Sequence, residues 1–321
     1  MRILFYGSPA QALPFLRSLA REEECAAVVT RPDKPRSRGL SSFPTAVKRE
    51  AASLGLKVLD PPNPMAAIEE LSALKPDLGV AVAYGRLLRP ELFRLPRLGT
   101  LNVHFSLLPR YRGAAPVAWS LINGETRSGV TVFWIDEGLD TGPILLTRET
   151  AISPDEDATS LQNRLIDLGV GALREALALL KSGAAQPRPQ VGPPCLAPPL
   201  TNSMGLVSFE KPADAIHNLV RGLAGGPKAY VNLSSSEGPR RLILLRTKLP
   251  EHGSLEAPSA APGSIARVDA EKGFLIECGK SSFLWIVEVQ MEGRRALPAA
   301  SFLNGLRLGA GKTLPLINLN A

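Results

Sequence analysis

Short apolar runs alternate with amphipathic segments along the first half of the chain. The apolar runs predict strands at residues 2–6, 26–30, 57–59, 78–83, 100–105, 129–135 and 144–151. The intervening segments predict helices at 43–56, 66–75 and 115–123, and a long helix follows at 158–181. Strands that alternate with helices pair through right-handed crossovers into a largely parallel sheet. The pattern therefore predicts an α/β domain, with a Rossmann-like, mostly parallel sheet and helices on both faces.

The composition changes after residue 182, which divides the chain into two predicted domains. Residues 183–204 are rich in Pro, Gly and Ala, from which no apolar core can be built, so we predict a linker there. A helix at 213–223 and short strands at 229–233, 241–245, 263–268, 273–277 and 284–290 follow. Regularly spaced short strands predict a small antiparallel barrel or sandwich over residues 205–321. A chain of 321 residues is long enough for two such domains.

The composition argues against several classes of protein. With 45% hydrophobic and 21% charged residues, the chain is ordinary globular protein rather than disordered or collagen-like. Its three cysteines, Cys25, Cys195 and Cys278, are far apart and do not have the spacing of a disulfide scaffold or a zinc site. No signal peptide or membrane-spanning run is visible, so we expect a cytoplasmic protein without a membrane partner, and a monomer.

The first predicted strand and the overall charge narrow the ligand classes. Gly7-Ser8-Pro9 lacks two of the three glycines of the GxGxxG fingerprint, and no GxxxxGK[ST] motif is present. Nicotinamide, flavin and P-loop enzymes are therefore disfavoured. The formal net charge of +7 fits a polyanionic partner but does not by itself establish one.

A small set of polar residues falls where ligands bind in such sheets, beyond the carboxyl ends of the strands. Asn102 and His104 are two residues apart on one predicted strand and therefore share a face. An amide beside an imidazole suits stabilisation of a carbonyl oxygen that gains negative charge. Asp140, in a glycine-flanked turn, could accept a proton, and we favour it over Asp136. By spacing alone, a structural histidine and an Asx turn are the more common explanations of such residues, and they stay open as alternatives.

Longer motifs carry a family resemblance. The segments NVHFSLLPRYRGAAP and DEGLDTGPIL resemble the folate-dependent formyltransferases, and ILFYGSPAQALPFL, RPDKPRSRG and PDLGVAVAYGRLL occur in the order typical of that family. The match covers nearly all of residues 1–182. The RGAAP segment and EGRRALPAASFLNG near the end resemble the branch that formylates methionyl initiator tRNA. The resemblance implies 10-formyltetrahydrofolate as the donor, no metal, and a C-terminal barrel of the oligonucleotide-binding (OB) type.

The resemblance also implies roles for individual residues. Asn102 and His104 would hold the developing oxyanion, while Asp140 would orient His104, raise its basicity and help to remove the proton of the amine. Folate would contact Ser106, Leu107, Leu108 and Pro109. The pterin would lie between two turns whose residues are Tyr84, Gly85, Arg86, Leu87 and Leu88 on one side, and Asp136, Glu137, Gly138 and Leu139 on the other.

The implied tRNA contacts are basic. They are Arg36 and Arg38 in an exposed loop, and the pair Arg294 and Arg295 in the second domain. Solvated surface charges are the alternative interpretation of each. Two other functions stay open: a formyltransferase acting on a nucleotide-linked amino sugar, and a catalytically silent homologue that binds tRNA or folate.

Overall fold

A computed structural model describes residues 1–33, 43–234, 238–251 and 261–316. The strands are β1 (Arg2–Gly7), β2 (Glu24–Val29), β3 (Val58–Leu59), β4 (Leu78–Val82), β5 (Thr100–His104), β6 (Arg127–Trp134), β7 (Ile144–Ala151), β8 (Ala229–Leu233), β9 (Arg240–Lys248), β10 (Ile265–Asp269), β11 (Gly273–Cys278), β12 (Ser282–Met291) and β13 (Ala296–Pro298). The helices are α1 (Leu13–Glu22), α2 (Ala46–Ser53), α3 (Ile68–Ala73), α4 (Pro90–Phe93), α5 (Pro116–Ile122), α6 (Ala158–Lys181), α7 (Ala213–Gly222) and α8 (Ala299–Leu306).

Strands β1 to β7 form one sheet in the order β3-β2-β1-β4-β5-β6-β7. The pairs that involve β1 to β5 are parallel, whereas β5–β6 and β6–β7 are antiparallel. The mostly parallel α/β sheet predicted from the sequence is therefore confirmed. Its strand order reverses at β1, and the crevice beyond the strand ends at such a point is where ligands bind in open α/β sheets.

Helices cover both faces of this sheet because alternate strand residues are apolar on each side. Leu4 and Tyr6 are buried on one face, in a cluster with Leu71 of α3 and Leu92 of α4. Register places Tyr6 beside Ala81 and Ala81 beside Asn102, so Asn102 faces the same side. Val103 faces the opposite side, where a Cβ added to Gly169 of α6 would lie 3.4 Å from Val103 and 2.9 Å from Phe15 of α1.

Strands β8 to β13 form a second, antiparallel sheet in the order β10-β11-β12-β9-β8, with β13 paired to β12. Its core contains Leu242, Ile286 and Phe274, which are fully buried, together with Ile216 of α7 and Leu303 of α8. A C-terminal domain built on an antiparallel sheet, as the sequence predicted, is thereby confirmed. Neither α8 nor β13 was predicted from the sequence.

The described residues form two compact units that differ from the predicted domains. The first contains Met1–Pro116, Arg127–Ala151 and Gln162–Pro198, and the second contains Val117–Thr126, Ile152–Leu161 and the residues described from Pro199 onward. Most of the segment predicted as a linker, 183–204, thus belongs to the first unit. Main-chain hydrogen bonds explain the difference: the amide of Arg188 donates to Ile144 and that of Ala197 to Arg112, so attachment does not need apolar side chains.

Candidate active site

A cavity of about 750 Å³ opens at the carboxyl ends of β4 and β5 in the first unit. Its wall includes Asn102, His104 and Asp140, together with apolar side chains such as Phe93 and Phe133. Volumes of this size hold drug-sized ligands, and an apolar wall with few polar groups is typical of such sites. The structure therefore brings the three candidate catalytic residues together on one cavity.

Asn102 and His104 lie on one face of β5, as the two-residue spacing predicts. Among the described residues, no group hydrogen-bonds to the Asn102 side chain, so its amide is available to a ligand. His104 is only 6% exposed, and its Nε2 lies 2.8 Å from the Tyr111 carbonyl oxygen. A carbonyl only accepts, so Nε2 carries a proton and donates it there, and in the neutral ring Nδ1 has the lone pair.

Asp140 reaches the same place from the turn after β6. Its Oδ2 accepts a hydrogen bond from the Gly113 amide at 2.8 Å and lies 3.6 Å from Nδ1 of His104. The flanking glycines were expected to allow the inward turn, but the left-handed residue is Asp140 itself, with φ of 52°. Glycine is needed at position 142 for a steric reason, because a Cβ there would lie 1.8 Å from the Trp134 carbonyl oxygen.

Asp136 has a different role in that turn. Its Oδ1 accepts hydrogen bonds from the amide of Gly138 at 3.0 Å and from the hydroxyl of Thr141 at 2.5 Å. This is the Asx turn that the sequence left open as an alternative. The carboxylate of Asp136 holds the loop, and that of Asp140 faces the imidazole.

The two turns predicted to enclose the pterin both line the cavity. One turn contributes Tyr84, Gly85, Arg86, Leu87 and Leu88, and the other contributes Asp136, Glu137, Gly138 and Leu139. Tyr84 is buried, which raises the pKa of its phenol, and its hydroxyl has no hydrogen-bond partner among the described residues. A buried hydroxyl without a partner is costly unless a ligand or water satisfies it.

The segment Ser106, Leu107, Leu108 and Pro109 does not line this cavity, in contrast to the predicted folate contact. Ser106 is 1% exposed, and its hydroxyl donates to the Arg110 carbonyl oxygen at 2.6 Å. The amide of Leu108 donates to the hydroxyl of Thr131. Hydrogen bonds within the loop and to β6 therefore hold the Ser106 hydroxyl and the Leu108 amide, and the folate contact of this segment stays a prediction.

The predicted tRNA contacts fall in two places. Arg36 and Arg38 lie outside the described residues. Arg294 and Arg295 are exposed on the turn between β12 and β13 in the second unit. The main chain joins this turn to the start of β9, where the amide of Glu292 donates to the carbonyl oxygen of Arg241.

Three residues at the site were missed by sequence reasoning. Tyr111 contributes a main-chain carbonyl, Arg112 contributes its guanidinium, and Gln190 lies in the proline-rich stretch interpreted as a linker. A main-chain acceptor leaves no mark on residue type. The RYRG motif containing Tyr111 and Arg112 was the only available signal, and Gln190 had none.

No group of three or more His, Cys, Asp or Glu residues is arranged to hold a metal ion in the part of the chain that the structure describes. Across residues 1–33, 43–234, 238–251 and 261–316, no helix combines the length and apolar character needed to cross a bilayer.

Comparison with protein families gives the class. Residues 1–177 match the formyl transferase family model, and residues 199–307 match the model of the formyl transferase C-terminal domain. Together the two matches cover most of the chain, and they coincide with the α/β sheet and the antiparallel sheet described above. The chain therefore belongs to the formyl transferase family.

Curated relatives place it more closely. Methionyl-tRNA formyltransferase of Trichlorobacter lovleyi is 42% identical over 98% of this chain and 96% of its own length. The enzyme of that name from Caldanaerobacter subterraneus is 39% identical over 98% of this chain and 100% of its own length. Such similarity over the full length places the chain among the methionyl-tRNA formyltransferases.

Solved structures of lower identity show the same fold. An N-formyltransferase from Helicobacter canadensis, crystallised with folinic acid and dTDP-3-aminofucose, superposes with a TM-score of 0.64 at 18% identity, covering 89% of this chain and 98% of its own. HypX from Aquifex aeolicus, in complex with tetrahydrofolic acid, superposes with a TM-score of 0.62 at 20% identity, covering 97% of this chain and 48% of its own. At these identities the likeness concerns the fold alone.

Proposed function

We propose that this enzyme transfers the formyl group of 10-formyltetrahydrofolate to the α-amine of methionyl initiator tRNA. The observation that carries the proposal is the convergence of Asn102, His104 and Asp140 on one cavity of the first unit. The full-length similarity to relatives named methionyl-tRNA formyltransferase supports the choice of acceptor over an amino sugar. Activity would also distinguish this enzyme from a silent homologue.

The reaction needs a hydrogen-bond donor for the formyl oxygen, which becomes negatively charged during the transfer. Attack of the amine on the formyl carbon pushes negative charge onto the formyl oxygen, and the bond from that carbon to N10 of the folate then breaks. The amine loses one proton and N10 gains one. Because the amine attacks the formyl carbon directly, the transfer needs no covalent enzyme intermediate. The unengaged amide of Asn102 is suited to donate to that oxygen, because a preorganised donor stabilises charge that develops in the transition state.

His104 is suited to receive the proton of the amine at Nδ1. Its Nε2–H stays on the carbonyl oxygen of Tyr111 at 2.8 Å, which fixes the ring orientation and leaves the Nδ1 lone pair as the basic site. This assigns to Tyr111 the orienting role that the sequence analysis gave to Asp140. Once Nδ1 is protonated, the carboxylate of Asp140 stabilises the imidazolium, and the ring can donate from Nδ1 to the oxyanion.

The cavity fits a folate donor. The apolar side chains Phe93, Phe133 and Ile135 offer contact area for a flat bicyclic ring. The turns at 84–88 and 136–140 line the cavity, so their main-chain groups are candidates for hydrogen bonds to the ring, and the hydroxyl of Tyr84 lacks a partner among the described residues. The folate supplies the activated formyl group, while the residues of the chain bind it, orient it and handle the proton.

The acceptor calls for a basic surface. The formal net charge of the chain is +7, and Arg240, Arg241, Arg294 and Arg295 lie in adjoining segments of the second unit. Binding of phosphates by such side chains releases counterions and therefore weakens steeply as salt rises. A tRNA acceptor thus predicts strongly salt-dependent turnover at subsaturating tRNA.

An acyl-transfer assay with 10-formyltetrahydrofolate tests the proposal. It compares methionyl initiator tRNA, methionyl elongator tRNA, free methionine and a nucleotide-linked amino sugar as acceptors. We expect formylation of the initiator tRNA at the highest kcat/KM, declining as salt is raised. Salt-insensitive formylation of the amino sugar alone, or folate and tRNA binding without turnover, would reject it in favour of one of the two alternatives.

A further inference from the structure

Residues 188–197, hereafter the 188–197 segment, are attached at both ends to elements that hold the candidate catalytic side chains. At one end, the amides of Arg188 and Ile144 donate to each other's carbonyl oxygens at 2.8 and 2.7 Å. At the other end, the amide of Arg112 donates to Cys195 at 2.9 Å and the amide of Ala197 donates to Arg112 at 2.7 Å. The segment thus joins β7, which follows the Asp140 turn, to the loop that contains Tyr111 and Gly113.

Gln190 is the inward-facing side chain of its part of the segment. Its neighbours Arg188, Pro189 and Val191 are exposed, whereas Gln190 is half-buried. Its Nε2 donates to the carbonyl oxygens of Asp140 at 2.8 Å and Gly142 at 2.9 Å. Both N–H groups of the Gln190 amide therefore donate to the turn that contains Asp140.

Arg112 hydrogen-bonds to the oxygen of the same amide. Its Nη2 and Nε donate to Oε1 of Gln190 at 2.6 and 3.2 Å. A guanidinium only donates, so it dictates which end of the amide is oxygen and which is nitrogen. The orientation of Gln190 toward Asp140 and Gly142 is thereby set by Arg112, whose main chain is held by the 188–197 segment.

We propose that Gln190 is a positioning residue for Asp140: with Arg112, it holds the turn so that the carboxylate stays opposite Nδ1 of His104. Asp140 needs such support because it adopts a left-handed conformation, with φ of 52°, that non-glycine residues occupy at a cost. Its carboxylate is also bound by the amide of Gly113, which lies on the loop that Arg112 shares. This inference rests on the proposed role of Asp140 in formyl transfer.

The discriminating variant is Gln190→Glu. Glutamate keeps the volume and the acceptor for Arg112, with which it forms an ion pair, but it loses both donors to the Asp140 turn. Gln190→Ala removes both sets of contacts without adding charge. The matched control is Gln186→Glu, which makes the same change of charge on an exposed residue a few positions earlier.

The measurement is steady-state formylation by the full chain, with thermal unfolding to confirm that each variant folds. We expect Gln190→Glu to lower kcat about tenfold, since small misplacements of a catalytic group are costly. We expect Gln190→Ala to act in the same direction. KM for tRNA and for the folate should change by less than about twofold in each case, and Gln186→Glu should match the wild type.

A double-mutant cycle with Asp140→Asn separates the two levels of the inference. If Gln190 acts through Asp140, adding Gln190→Glu to Asp140→Asn lowers kcat by less than about twofold more. A full tenfold further loss in that background would overturn the positioning role, as would an unchanged kcat in Gln190→Glu alone. Wild-type kcat in Asp140→Asn would instead refute the proposed role of Asp140.

Discussion

Nδ1 of His104 lies 3.6 Å from Oδ2 of Asp140, and the two side chains are only 7% and 12% exposed. Since Nε2 of the same ring donates to Tyr111, the neutral imidazole presents a lone pair to the carboxylate. The pair becomes attractive only when Nδ1 takes up a proton, and burial then strengthens the attraction. The carboxylate of Asp140 is thus placed to face the positive charge that the ring would carry after it takes a proton from an amine.

Substitution of Asp140 tests that relationship. We expect Asp140→Asn to lower kcat by about 10²-fold or more, because the amide cannot stabilise an imidazolium at His104 as a carboxylate does. The amide oxygen can still accept from Gly113, so the fold should persist. Steady-state formylation with saturating tRNA and folate measures the effect. A variant that keeps wild-type kcat would show that the carboxylate has no part in proton removal.

The imidazole is tested by His104→Ala. This variant removes the group that accepts the proton, so formylation should fall below detection, while folate binding should stay within a few-fold of the wild type because the turns at 84–88 and 136–140 are unchanged. Calorimetric titration of the folate checks the second expectation. Unchanged turnover would reject the mechanism, and lost folate binding would assign His104 to the binding site instead.

The oxyanion role of Asn102 gives a third prediction. We expect Asn102→Ala to lower kcat by about 10²–10³-fold with little effect on folate affinity, because the donor is needed only as charge develops. Rapid-quench measurement of a single turnover isolates the chemical step. An effect confined to KM would mean that Asn102 binds a substrate and does not stabilise the transition state.

Gly113 offers a test of the backbone. Its φ is 119°, and a Cβ there would lie 2.8 Å from the Ala197 carbonyl oxygen. We expect Gly113→Ala to cost about 1–3 kcal/mol of stability and to lower kcat, because the Gly113 amide holds Asp140. Thermal unfolding and formylation assays measure both.

Gly171→Ala is the matched control for Gly113→Ala. Gly171 is exposed within α6, and a methyl group there would meet no described atom within 4 Å outside its own helix backbone and chain neighbours. Alanine in a helix interior is favoured over glycine by up to about 1 kcal/mol. We therefore expect Gly171→Ala to be neutral or stabilising, and equal losses in the two variants would contradict the steric argument at Gly113.

Periodicity in the sequence identified most of the fold. The α6 helix has the predicted bounds, Ala158–Lys181. The bounds of β5 differ from the prediction by only one residue, since the apolar alternation of that strand is regular. In contrast, α4 spans only Pro90–Phe93, too short for a helical repeat to be visible. Likewise β13, Ala296–Pro298, depends on pairing with β12, which no local pattern encodes.

The candidate site divides in the same way. The shared face of Asn102 and His104 follows from the strand period, so the sequence predicted it. The Tyr111 carbonyl leaves no trace in residue type, and Gln190 is 50 residues away from Asp140 in the chain. The left-handed φ of Asp140 also escaped prediction, since the flanking glycines were the more obvious source of an inward turn. Such contacts require the tertiary structure.

His217, in the second unit, is a buried histidine outside the proposed mechanism. It is 3% exposed, with Nδ1 at 2.9 Å from the Thr247 hydroxyl and Nε2 at 3.1 Å from the Pro154 carbonyl oxygen. Burial lowers its pKa below the ordinary 6.5, and Arg221 adds to that shift, against the opposing effects of the Pro154 hydrogen bond and Asp155. The folded state therefore holds His217 neutral more strongly than the unfolded state does.

Stability should consequently decrease as pH falls through a window that His217 sets. Above its ordinary pKa of 6.5, the ring is neutral in both states and costs nothing. As pH falls below that value, the unfolded chain binds a proton first, so the free energy of unfolding decreases by up to about 1.4 kcal/mol per pH unit until the folded pKa is reached.

His217→Gln removes the titrating group, so its unfolding midpoint should fall less than that of the wild type between about pH 7.5 and 5.5. Thermal unfolding of both proteins across this range measures the difference, and parallel pH profiles would show that His217 does not contribute.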